Sequence, residues 1–82
     1  MIDELSLRPG VPRQTSFCFF GVLRVESFPG SPLTVQLVVD DGEERRYALE
    51  VGDTFPVCGE LWVVDRVEGE IDAWRVCLRK VG

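Results

Sequence analysis

Along most of the 82-residue chain, apolar side chains alternate with polar ones, and glycine and proline interrupt the alternation at short intervals. A period of two puts successive side chains on opposite faces, the mark of a half-buried strand. No window carries the 3.6-residue period of a helix. Leu5 and Leu7 mark a first short strand over 4–8, ended by Pro9-Gly10-Val11-Pro12. A long strand follows over 16–27. Phe17, Phe19, Gly21, Leu23 and Val25 share one of its faces, and Cys18, Phe20, Val22 and Arg24 the other. Its first half is apolar on both sides, and Gly21 at mid-strand predicts a bulge or bend there.

Phe28-Pro29-Gly30-Ser31-Pro32 is a turn, and strands over 33–39 and 43–51 come next. A three-residue loop, Asp40-Asp41-Gly42, pairs Leu33 with Leu49 and Val35 with Tyr47, and gives Gly42 the left-handed position. A two-residue turn would set inward residues against outward ones. Val51-Gly52-Asp53 turns the chain again. A second hairpin, 54–58 and 61–68 around Gly59-Glu60, sets Val57 beside Trp62 and Phe55 beside Val64. Pro56 cannot donate to a ladder, so either regular pairing fails there or its strand lies at an edge. Between Val64 and Val67 the alternation slips by one residue, which predicts a bulge at Asp65-Arg66. Residues 68–72 form an acidic turn, and a last strand over 73–81 turns Trp74, Val76 and Leu78 inward and Arg75, Cys77 and Arg79 outward.

Six to seven short strands with turns every 8–12 residues make an all-β fold, a small antiparallel β-sandwich or barrel. The length allows one domain, 1–82, with residues 1–12 expected to be the most loosely held. Thirteen valines, five Phe and two Trp in a 45% hydrophobic chain exclude disorder. No apolar run is long enough for a membrane-spanning helix. Met1-Ile2-Asp3-Glu4 lacks the basic start and apolar stretch of a signal peptide.

Charge narrows the partners. The net charge is -5, from nine basic and fourteen acidic residues. Nucleic-acid affinity comes from neutralising phosphates with a converging basic face, so this balance argues against a nucleic-acid binder. It suits a soluble cytoplasmic protein, or one that meets a basic partner.

The chain has no His, which excludes Ser-His-Asp and Cys-His catalysis. The glycines fall about one per turn, so no phosphate loop is present. Asp40, Asp41, Glu43 and Glu44 lack the ligand spacing of a calcium loop and are expected to solvate a hairpin tip. Arg45, opposite Leu37 in the preferred register, points partly inward and needs a carboxylate such as Glu43 in a buried salt bridge. Asp53 is expected to cap backbone amides in its turn. Trp62 and Trp74 are core by phase. Exposed beside arginines, they would instead form a stacking platform. Arg75 and Arg79 share a face, and Lys80 follows. These three make a small basic strip and are the candidate binding residues.

The stretch from Glu43 through Val51-Gly52-Asp53-Thr54-Phe55-Pro56-Val57, followed by Trp62 and Asp65-Arg66-Val67, resembles a group of short, single-domain proteins of high-GC actinobacteria with no assigned function. The resemblance covers most of the chain from Leu7 onward. It implies a bacterial cytoplasmic setting and no particular chemistry. By subtraction, the expected role is a non-catalytic β module that binds a partner protein, with no cofactor, metal, nucleic acid or membrane. Two alternatives are an oligonucleotide-binding or SH3-like barrel that stacks bases on aromatics, and a small carboxylate or thiol enzyme.

Cys18, Cys58 and Cys77 are odd in number and far apart, without a Cys-x-x-Cys pair. They are expected to be reduced and metal-free. Intact mass and metal analysis check this. The expected result is the mass of the fully reduced chain without zinc. A mass lower by two hydrogens, or stoichiometric zinc, contradicts it.

Overall fold

A computed structural model describes residues 4–14, 18–57, 59–69 and 73–81. They form eight strands: β1 (Glu4–Leu7), β2 (Arg13–Gln14), β3 (Phe19–Glu26), β4 (Thr34–Asp40), β5 (Glu44–Glu50), β6 (Thr54–Val57), β7 (Glu60–Glu68) and β8 (Arg75–Val81). All ladders are antiparallel. They make two four-stranded sheets, ordered β1-β8-β7-β6 and β2-β3-β4-β5. The chain crosses between sheets only from β1 to β2 and from β5 to β6. The strands therefore follow one another in sequence around the molecule, with a seam at each crossing. No strand ladder joins the two sheets among the described residues, so they form a sandwich rather than a closed barrel.

Each sheet buries one face against the other. Phe20 and Val22 of β3, Val35, Leu37 and Val39 of β4, and Leu49 of β5 meet Leu5, Leu7, Phe55, Val57, Trp62, Val64, Val76 and Leu78. Two aromatic pairs cross the gap. Phe20 lies 5.6 Å from Trp62 between ring centroids, and Tyr47 lies 5.8 Å from Phe55, both tilted. No charged or polar residue is buried among the described residues. Of residues 1–12, expected to be the most loosely held, 1–3 lie outside the described residues and β1 pairs with β8 and puts Leu5 and Leu7 in the core.

Two bulges set the phase. In β3 the pairing with β4 slips between Val22 and Arg24, so Val22 opposes Leu37 and Val25 opposes Val35. The expected irregularity at Gly21 falls two residues later, at Leu23. Gly21 stays in register opposite Val38. Because of the slip, Val25 rejoins the core side with Phe20 and Val22, while Phe19 stays on the outer face. In β7 the slip between Val64 and Arg66 is the bulge predicted from the broken alternation, and it returns Val67 to the core side.

Both hairpin registers differ from the expected ones by two residues and keep every side chain on its expected face. β4 and β5 pair Val35 with Leu49 and Leu37 with Tyr47. The loop is three residues long, as expected, but consists of Asp41-Gly42-Glu43. Gly42 has φ +109° and donates its amide to the Asp40 carboxylate. β6 and β7 pair Phe55 with Trp62 and Val57 with Glu60, so the chain reverses between Val57 and Glu60. Pro56 lies on β6, an edge strand, where a missing donor costs no ladder bond. Asp53 caps its turn as expected, accepting the Glu50 amide at 2.8 Å.

Trp74 is not a core residue. It precedes β8 and is only half-buried, because no inward face opposes it past the sheet end. Phe20→Ala should cost about 3–5 kcal/mol, and Trp74→Ala about 1 kcal/mol. Chemical-denaturation midpoints read the difference. Equal losses would return Trp74 to the core.

Candidate functional site

The seam between β1 and β2 is only partly closed. β3 runs for eight residues, but β2 covers it at Phe19 and Phe20 alone. The crossing segment adds one parallel bridge, Pro9 to Val22, and a hydrogen bond from the Gly10 amide to the Val22 carbonyl at 3.0 Å. Beyond Val22 no strand pairs the outer edge of β3 among the described residues. Across the seam, β1 leaves β8 after Val76. An open groove of about 1300 Å³ occupies this gap.

Its character comes from a few side chains. Arg8 reaches it from the end of β1, Leu23 and Arg24 from the β3 bulge, Glu68 from the end of β7, and Trp74 and Arg75 from the start of β8. Leu23 is 54% exposed, since the bulge that returns Val25 to the core turns Leu23 outward. Gly69, φ +98°, holds the turn beside Trp74, where a Cβ would be driven into the Ala73 carbonyl. The acidic turn expected over 68–72 includes Glu70 and Asp72, which lie outside the described residues.

The basic groups are unevenly committed. Arg24 pairs with Glu26, Arg46 with Glu44, and Arg45 with Asp41 and Glu43. Arg45 opposes Val39, not Leu37, and its pairing is at the exposed hairpin tip rather than buried. Asp41 and Glu43 push its pKa up.

On the outer face of the β1-β8-β7-β6 sheet, Asp65 accepts Arg66 at 2.7 Å and Arg79 at 3.4 Å, and Arg66 also donates to Glu68. Those hydrogen bonds raise the Arg66 pKa, and the bond from Arg66 holds Glu68 below the usual carboxylate range. Arg66 opposes Cys77, and Arg79 opposes Val63. Both apolar residues are buried although they face outward, each directly opposite one of these arginines.

Arg75, Arg79 and Lys80 are therefore not one strip. Arg79 is bound to Asp65, and Lys80, opposite Trp62 on the inward-facing side, pairs with Glu60 at 3.5 Å. Of the three, Arg75 lines the groove. Arg8, Arg13 and Arg75 make no ion pair among the described residues, and Arg8 and Arg75 stand together in the groove. Neither Arg8 nor Leu23 stood out in the sequence. The visible signal was the Pro9-Gly10-Val11-Pro12 break, which stops β1 short of covering β8.

Cys77 is a buried free thiol, Cys18 is buried, and Cys58 lies outside the described residues. Among the described residues no three His, Cys, Asp or Glu side chains gather as metal ligands. Nor is there a helix long and apolar enough to cross a membrane.

Fold and site together define a small two-sheet β domain with one seam open beside a tryptophan and two arginines, Arg8 and Arg75, that make no ion pair among the described residues. The chain belongs to DUF6406, a family of unknown function whose model matches residues 2–82. No curated protein and no solved structure matches it.

Proposed function

We propose that this chain is a non-catalytic β module that binds a partner protein, with the groove beside Trp74 as its docking surface. The distribution of the basic groups carries this reading. On a chain of net charge -5, most Arg and Lys side chains are tied to carboxylates, while Arg8 and Arg75 stand in the groove without an ion pair among the described residues. Leu23 and half-buried Trp74 lie beside them. Arginine and Trp next to exposed apolar surface is the composition of binding hot spots. The groove is open, which suits a chain segment better than an enclosed small molecule. The proposal includes the bacterial cytoplasmic setting that the actinobacterial resemblance implies.

One observation favours a second reading. Trp74 stands among Arg8, Arg24 and Arg75, as a base-stacking platform requires. The acidic balance and the presence of one groove tryptophan rather than a series weigh against it.

Affinity capture from native cytoplasm, run in parallel with wild type and Arg8→Glu/Arg75→Glu, tests the proposal. A protein held by wild type and lost by the variant is the expected result. Equal capture by both removes the groove from the proposal. Oligonucleotide titrations at low salt complete the test: micromolar binding that weakens steeply with salt overturns the protein-partner reading in favour of nucleic acid.

A further inference from the structure

Granting that the groove is the docking surface, we infer that it receives an acidic, extended segment of the partner, which adds as a strand along the uncovered edge of β3. β3 pairs with β4 over its whole length, through Glu26 opposite Thr34. On its other side the pairing ends with the Pro9 bridge at Val22. The edge from Leu23 to Glu26 is left without a strand partner among the described residues, and the groove runs along it. An uncovered strand edge is a template for another chain, and peptide recognition often uses it.

The protein protects another edge conspicuously. β5 carries Glu44, Arg45, Arg46 and Glu50, and charges of that kind discourage edge pairing. β3 beyond Val22 carries the exposed Leu23, the ion pair of Arg24 with Glu26, and Val25, whose side chain packs against the core. Charge selects the occupant. Arg8 and Arg75 line the groove without an ion pair among the described residues, and Arg24, paired with Glu26, lines it as well. The one described carboxylate lining the groove, Glu68, is bonded to Arg66 and also lies opposite Arg75, whose charge it feels, which leaves Arg8 as the least compensated guanidinium there. Carboxylates at alternate positions of an incoming strand would meet these guanidiniums, and the intervening apolar side chains would lie on Leu23 and Trp74.

The test uses the full chain and a fluorescent peptide of about eight residues, near the usual strand length, alternating Glu and Val. Polarisation should show saturable binding that weakens with salt. Arg8→Glu/Arg75→Glu should weaken it roughly tenfold or more, as should N-methylation of every second peptide amide in at least one of the two phases. Unchanged binding of both methylated phases overturns strand addition, and equal binding of a Lys-Val peptide overturns the charge selection. Absence of binding to the Glu-Val peptide overturns the inference as a whole. Groove-dependent capture of a partner protein would then still leave the docking surface standing. Displacement of the peptide by oligothymidylate, with tighter binding of the oligonucleotide, overturns both.

Discussion

A strand has two faces and a period of two, so one extra residue exchanges them. The structure depends on using that constraint twice. Without the bulge at Leu23, Val25 would leave the core that Phe20 and Val22 occupy. Without the bulge at Asp65, Val67 would leave the side of Trp62 and Val64. The outward residues matter as much. At the first bulge Leu23 is turned into the groove, and the neighbouring Val22 carbonyl accepts the Gly10 amide that anchors the crossing between sheets. At the second, Asp65 becomes the centre of the ion network over Cys77 and Val63.

Chain length explains why a groove exists at all. Eight strands from 82 residues leave little for the seams. The β5–β6 seam is drawn together by the turn at 51–53, where the Gly52 amide bonds the Val64 carbonyl at 2.8 Å and the Val64 amide bonds the Asp53 carbonyl at 3.0 Å. The β1–β2 seam has a four-residue and a two-residue strand against neighbours of seven and eight. The uncovered remainder is the groove. A domain this small has a thin stability margin, and an unclosed seam is a liability unless it is used.

Much of the fold was legible because alternation records burial directly. Leu5 and Leu7, Phe55 and Val57, and Val76 and Leu78 were placed on the correct face from sequence, and the slip between Val64 and Val67 announced its bulge. Registers were less legible. A shift of two residues preserves every face, so alternation cannot detect it, and both hairpins differed by that amount. The Leu23 bulge was hidden because the first half of β3 is apolar on both sides, which leaves no contrast to reveal a phase change. Trp74 was misplaced because phase says where a side chain points and not whether a sheet stands opposite. The pairing of Arg79 with Asp65 and of Lys80 with Glu60 joins residues fourteen and twenty apart, which only the β7–β8 register brings together.

Native-state amide hydrogen exchange on the isolated protein reads out whether the outer edge of β3 beyond Val22, which has no strand partner among the described residues, is open to solvent. β4, paired on both sides by β3 and β5, should be protected at every residue. From Leu23 to Glu26, β3 should alternate between slow amides facing β4 and fast amides facing the seam. Uniformly slow exchange through Glu26 would mean that something in the chain already covers this edge, and would contradict the account.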